Sequence, residues 1–263
     1  MANAEGVMVQ SVVRATEILE CFNENLVELG ISEIAKQMQL GKSTVYGLVN
    51  TLVAKGYLEQ NPQTKRYRLG IKLFELGSLV HKRMDLRNEA RRFCEELVKT
   101  HNVTVHLAAY YVDELVYIDK IDAPETVIIY SRTGKRAPLH CTGVGKAVLA
   151  FLDDDVQRLF FAKNILKRYT DNTIINSEEL LKELYRIRQR GYAIDNEEIE
   201  TGLRCVAAPI FDFMKKPVGA LSVSGPIARL PLEHIETVAK DVKDCAKQIS
   251  QKLGYSGKRK DRT

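Results

Sequence analysis

Lys42, Ser43, Thr44, Tyr46, Gly47 and Asn50 lie within nine residues of one another and carry groups suited to a polyanion. In GKSTVYGLVNTLVAKGYLEQ they take one face of a helix whose other face carries Val45, Leu48, Leu52 and Val53. Hydroxyls and a lysine at a helix N-terminus suit phosphates, because the first-turn amides and the helix dipole already favour an anion. Tyr46, Gly47 and Asn50 would then approach base edges, and an asparagine amide can donate to and accept from adenine at once.

Other residue types able to do chemistry are scattered. The histidines His81, His101, His106, His140 and His234 show no zinc-ligand spacing, so each is expected at the surface or hydrogen-bonded, and no metal or other cofactor is expected. The cysteines Cys21, Cys94, Cys141, Cys205 and Cys245 are odd in number, widely spaced and free of CxxC pairs, so reduced thiols are expected. A thiol nucleophile at Cys141 or Cys205 is the enzymatic alternative. The adjacency of His140 and Cys141 does not by itself set an imidazole against the neighbouring thiol.

The recognition-like helix needs a frame, and the sequence offers one. Residues 31–38 read as a short helix, and Gln39, Leu40 and Gly41 connect it to the helix that starts at Lys42. Ile34, Met38, Leu40, Val45 and Leu48 form the apolar seam, with the small Ala35 where the backbones approach. That spacing predicts a helix-turn-helix. Upstream, residues 11–21 read as a helix capped by Ser11, with Val12, Ala15, Leu19 and Phe22 at helical spacing. Gly56 closes the recognition helix, and residues 57–60 and 66–69 alternate around the turn NPQTK as a hairpin. This wing carries Thr64, Lys65 and Arg66 at its tip. Between Leu40 and Lys72 the bases Lys42, Lys55, Lys65, Arg66, Arg68 and Lys72 face one acid, Glu59, whereas the whole chain of 263 residues carries only +5.

Residues 71–100 return to a helical pattern, broken near Met84 and Asp85, with Leu73, Leu76, Leu79 and Val80 as an apolar stripe. Beyond Asn102 the pattern is mixed α/β. TVHLAAYY and LVYIDKI flank a turn, TVIIYSR reads as a further strand, and GVGKAVLAFL as a helix behind a glycine-bearing loop. NSEELLKELYRIRQRG is a capped helix ended by Gly191, CVAAPIF and VGALSVSG form a hairpin around DFMKKP, and a last helix covers 232–253. Hydrophobic content of 45% and charged content of 28% suit a soluble globular chain. No apolar run is long enough for a bilayer and no secretory signal opens the sequence, so a cytoplasmic protein that does not enter membranes is expected.

The chain resembles the IclR-type transcriptional regulators over residues 12–255. The motifs are ISEIAKQMQLGKSTVYGLVNTLVAKGYLEQNPQTKRYRLGIKLFELG, APLHCTGVGKAVLAFL, DNEEIETGLRCVAAPIF and GALSVSGP. VYIDKID followed by IYSRTGKRAPLH is similar to regulators of sugar-acid catabolism. Gly47 and Gly41 depart from the larger polar residue and the serine that members commonly carry. The resemblance implies an α+β protein: a winged helix-turn-helix domain over 1–70, a linker helix over 71–84, a GAF-like or profilin-like effector domain over 85–255, and a disordered basic tail over 256–263. It implies a ligand-responsive regulator, with repression the expected sense, binding a near-palindromic double-stranded operator as a homodimer or homotetramer. It places a small organic acid or sugar acid against Gly143, Val144, Gly145, Asp195, Cys205, Ser222 and Ser224. The residues themselves agree with such a site: the glycines open a helix with free amides, and the two serines share one face of a strand. A DNA-binding protein whose second domain only oligomerises stays open beside this reading.

Overall fold

The computed structural model describes residues 8–23, 26–82, 85–124, 131–163 and 165–257. It divides into two units, Met1–Met84 and Asp85–Thr263.

In the first unit α1 (Gln10–Glu20), α2 (Ile31–Met38) and α3 (Lys42–Ala54) precede a hairpin of β1 (Leu58–Gln60) and β2 (Tyr67–Leu69), and α4 (Ile71–Lys82) follows. Ser11 does not cap α1. That helix starts one residue earlier behind Val9, with no side-chain cap, and buries Ile18 while Val12 is exposed, and Phe22 is buried just past its end. Glu33 reaches back to accept the Gly30 N–H at 2.7 Å, which fixes the start of α2. Gln39 adopts a left-handed φ of 54°, and the chain turns directly into α3.

The inward face of α3 is rotated from the expected one. Val45, Val49 and Leu52 are buried, whereas Leu48 and Val53 are half-buried against the same cluster. Both α1 and α2 pack on α3, so the buried stripe centres on the 45–49–52 row between them. Gly56 has φ +75°, the left-handed residue the helix end requires. Leu58 and Tyr67 send the hairpin's inner side chains into this core, and Tyr67 and Leu29 exchange backbone hydrogen bonds of 2.8 and 2.9 Å. The apolar stripe on α4 is exposed at Leu76 and Leu79, with Ile71 and Phe74 exposed beside it. The side chain of Val80 lies outside the described residues.

The second unit is built on a five-stranded antiparallel sheet of order β4-β3-β7-β6-β5. Its strands are β3 (Thr104–Tyr111), β4 (Glu114–Ile121), β5 (Ala193–Asn196), β6 (Leu203–Phe211) and β7 (Pro217–Pro226). The helices α5 (Asp85–His101) and α9 (Ile235–Lys252) pack on the sheet and on each other. The short α6 (Gly143–Leu149) packs on β6, β7 and β5, and α8 (Ser177–Arg190) packs behind it. Asn176 caps α8 through bonds from the amides of Glu178 and Glu179, and Gly191 ends it at φ +80°. Two elements were not expected from the sequence: α7 (Asp154–Lys163) and the short edge strand β5. Most of the expected strand TVIIYSR, and residues 258–263 of the tail, lie outside the described residues.

Val49 is wholly buried, so Val49→Ala should cost about 2 kcal/mol in chemical denaturation through lost burial and a residual cavity. The half-buried Val53→Ala should cost less than half as much. Equal losses would mean that the buried stripe is misplaced.

Candidate functional site

With α3 packed through Val45, Val49 and Leu52, its other face is open. Lys42, Ser43, Thr44, Tyr46, Gly47 and Asn50 are all exposed. A Cβ built at Gly41 or Gly47 meets nothing within 4 Å, so neither glycine is demanded by packing within the chain. Thr51 bonds back to the Gly47 carbonyl at 2.9 Å and does not join the open face as a donor.

Lys65 stands exposed at the wing tip. Arg66 does not stand free beside it. Its guanidinium lies 2.7 Å from the Glu33 carboxylate and donates to the Glu28 carbonyl at 3.0 Å, strapping the wing to the start of α2. Glu28 in turn accepts from Asn61 and Thr64, which steadies the turn between the strands. The sequence could not show this strap, because its partners are more than thirty residues apart.

A second candidate site lies on the sheet of the second unit. In an antiparallel pair, residues directly opposite each other point the same way. Register aligns Thr104, Ser224, Cys205 and Asp195 in one row across four strands, and His106, Ser222, Ala207 and Ala193 in the next. A Cβ on Gly143 would meet those of Ala207 and Cys205 at 3.3 Å, so α6 starts on this same face. The space left beside α6 is a cavity of about 420 Å³. Six of the seven residues expected there line it: Gly143, Val144, Asp195, Cys205, Ser222 and Ser224.

Gly145 does not line it. Its amide is taken by the Thr142 hydroxyl at 3.0 Å, and a Cβ there would sit 2.3 Å from the Pro138 carbonyl oxygen. Gly145 is therefore a close-approach residue, and the first-turn amides of Gly143 and Val144 are the ones left without an intrahelical acceptor.

The cavity also takes in His106, Tyr117, Tyr169 and Ser131, with Lys135 and Arg136. His106 is buried, 3.1 Å from Ser224 through Nδ1 and bonded to Ser131 through Nε2. Burial, aided by the nearby Lys120 charge, pushes its pKa down to about 3, so the ring is neutral. Burial pushes the Asp195 carboxyl up to about 7, helped by the Glu198 charge. Its Oδ1 accepts the Glu198 amide at 2.8 Å. Beneath the cavity the Lys146 ammonium, 1% exposed, is hydrogen-bonded to the Glu198 carboxylate.

The thiols are held protonated. Burial raises both the Cys141 and the Cys205 thiols, and the His140 ring is engaged at 2.9 Å with the Lys167 carbonyl. That leaves no activated nucleophile at either cysteine. Among the described residues no group of three or more His, Cys, Asp or Glu is placed to hold a metal ion.

Residues 11–62 match the IclR helix-turn-helix domain, and residues 78–251 match the family described as bacterial transcriptional regulator IclR C-terminal. The chain is 38% identical over 247 residues to the HTH-type transcriptional regulator KdgR of Escherichia coli K12, covering 94% of each. The solved structure of IclR from Thermotoga maritima superposes with a TM-score of 0.75 at 37% identity, covering 94% of this chain and 99% of that one. An IclR homologue from Microbacterium hydrocarbonoxydans, solved in complex with 4-hydroxybenzoate, superposes with a TM-score of 0.81 at 25% identity, covering 92% and 98%.

The buried ion pair is directly testable. Lys146→Met leaves Glu198 buried without its partner and should cost about 3–5 kcal/mol in chemical denaturation. Adding Glu198→Gln to Lys146→Met should recover much of that loss. A double variant no more stable than the single one would show that the ammonium acts by packing and not by charge.

Proposed function

Because the chain belongs to the IclR family of bacterial transcriptional regulators, we propose that it represses a catabolic operon for a small acid, with a sugar acid favoured. In this reading it binds a near-palindromic operator in the cytoplasm as a dimer or tetramer. The observation that carries the proposal is the open face of α3: every one of its six candidate DNA-contacting residues is exposed, while the opposite stripe is core.

Lys42, Ser43 and Thr44 stand at the start of α3, where phosphate is favoured, and Tyr46, Gly47 and Asn50 follow toward base edges. Lys65 adds a backbone contact from the wing, and Arg66 contributes by holding the wing in place. One winged unit covers few base pairs, so useful specificity requires pairing and an operator that mirrors it. The exposed Ile71, Phe74 and Leu79 of α4 supply apolar area for that pairing.

For the effector, support comes from the cavity's neutral donors and from the homologue that holds 4-hydroxybenzoate. The sugar-acid preference rests on the VYIDKID and IYSRTGKRAPLH similarity and on the match to KdgR. The ligand would meet Gly143, Val144, Asp195, Cys205, Ser222 and Ser224, and would regulate only by binding one arrangement of the protein better than another. A second domain used only for oligomerisation would have no reason to keep buried serines, a histidine and an acid around an open volume. No described helix is long and apolar enough to cross a membrane.

Fluorescence anisotropy with the DNA upstream of the protein's own gene tests the proposal. Lys42→Ala should weaken binding to all sequences and lower the salt slope by about 1. Asn50→Ala should lose about 1–3 kcal/mol of discrimination at one base pair while keeping the salt slope. Absence of salt-sensitive binding to any duplex would overturn the proposal.

A further inference from the structure

Among the described residues, Asp195 is the one acid lining the cavity that is fully buried. Its Oδ1 accepts the Glu198 amide, the Ile199 amide and the Cys205 thiol also approach the carboxyl, and its Oδ2 is buried with no hydrogen bond of normal geometry. Leaving an ionised oxygen unpartnered in such a place is costly, unless the group carries a proton or meets a ligand.

The charges facing Asp195 decide which. From β6 comes the Cys205 thiol, from β4 the Tyr117 phenol, and from ahead of α6 the Cys141 thiol, all raised by burial and therefore neutral. From β3, the His106 ring on the same cavity is also neutral. From α6 comes Lys146, and from the segment after β5 comes Glu198. These two share one buried hydrogen bond, so as a pair they are neutral wherever the proton sits. Lys135, Arg136 and Glu200 lie on the outer lining and are not fully buried, and Arg136 is engaged with Glu114 at 2.8 Å. The buried Arg204 neighbours Cys205 on β6 and so points to the opposite face, where it donates to the Asn196 side chain and the Leu230 carbonyl, and among the described residues lining the cavity no buried cation is left over for a second carboxylate.

We propose that Asp195 presents itself to the cavity as a neutral carboxylic acid and donates its proton to the carboxylate of the bound effector, so that binding is linked to one proton. The inference rests on the reading of the cavity as the effector site. No bond to carbon changes. One O–H···O bond forms between two carboxyl groups that hold a single proton between them, because two adjacent carboxylates in a buried site do not both ionise. When Asp195 is ionised beforehand, that proton is taken from solvent on binding. The Ser222 and Ser224 hydroxyls and the Gly143 and Val144 amides complete a receptor of neutral donors. Such a receptor selects an anion without a buried arginine or lysine against it.

The raised pKa of about 7 sets the working range. Affinity for a small acid should be nearly flat below that value and fall about tenfold per pH unit above it, since each unit lowers the protonated fraction tenfold.

The test uses the full-length protein with D-gluconate, pyruvate and 4-hydroxybenzoate as probes. Infrared spectra of protein carrying 13C-labelled aspartate should show a protonated-carboxyl band at pH 6 that is missing in Asp195→Asn. Calorimetry in buffers of different ionisation heat should show binding about tenfold weaker at pH 8 than at pH 6, with uptake of close to one proton at pH 8. Asp195→Asn should flatten that pH dependence, whereas Ser222→Ala should weaken binding equally at both pH values and keep it. Absence of the band at pH 6, or the same pH slope in Asp195→Asn as in the unaltered protein, overturns the proposal. A band that is present while none of the three acids binds overturns the effector reading instead, and with it the ligand half of the inference.

Discussion

Pairing register in the five-stranded sheet is the constraint on which the second unit depends. Because opposite residues in antiparallel strands share a face, fixing Thr104 against Ser224, Ser224 against Cys205 and Cys205 against Asp195 commits four polar or thiol groups to one row. A one-residue slip between any two adjacent strands would divide that row between the two faces. The neighbouring alanines make the arrangement possible. Ala108, Ala207 and Ala220 lie in the same cluster as Ala147 and Val144 of α6, and small side chains there let every residue of α6 be buried against the sheet. Packing closes one part of that face, and the polar rows border the part left open.

In the first unit the governing constraint is the division of α3 into two faces. Its inner row is apolar and shared among α1, α2 and the hairpin, so the helix has little freedom to roll. The outer face is held in place without any contact of its own. Arg66 shows how closely cationic side chains on a wing must be read: two of its bonds run to Glu28 and Glu33, which turns a charge that looks available in sequence into a strap. Arg68 is likewise paired with Glu59 at 3.1 Å. Local basicity in the sequence therefore overstates the positive charge the surface offers.

Much of this was legible in the sequence where the signal is local. Caps and stops are short-range physics, so Asn176, Gly191 and Gly56 mark their helix ends correctly. The β6–β7 hairpin announces itself by two alternating runs around a turn, and Ser222 and Ser224 follow from period two. What was missed is long-range. Leu48 and Val49 are adjacent and both apolar, so only the packing of α1 and α2 on α3 decides which is core. β5 is four residues long and carries an acid and an asparagine, a composition that reads as loop. His106 belongs to the cavity only because β3 lies beside β7, and Lys146 meets Glu198 across 52 positions of chain. Glycine at a helix start serves either a ligand's approach or a close approach of the chain, and at Gly145 the Pro138 carbonyl, 2.3 Å from where a Cβ would sit, selects the second.

The wall that carries Asp195 differs in kind from the rest of the unit. After β5 the chain leaves the ladder at Glu197, with φ 61°, and returns at Leu203. Between them it is fastened by individual polar bonds: Thr170 and Thr173 hydroxyls on the Glu197 and Glu198 carbonyls at 2.6 Å, the Gly202 amide on the Glu197 carboxylate at 2.8 Å, and Lys146 on Glu198. Apolar packing is insensitive to a charge nearby, but a set of polar bonds is not. Asp195 stands at the junction, with one oxygen on the wall and the other buried with no hydrogen bond of normal geometry. A change in the state of this one carboxyl therefore reaches the fastening of the segment through the Glu198 amide, a route that a purely apolar wall would lack.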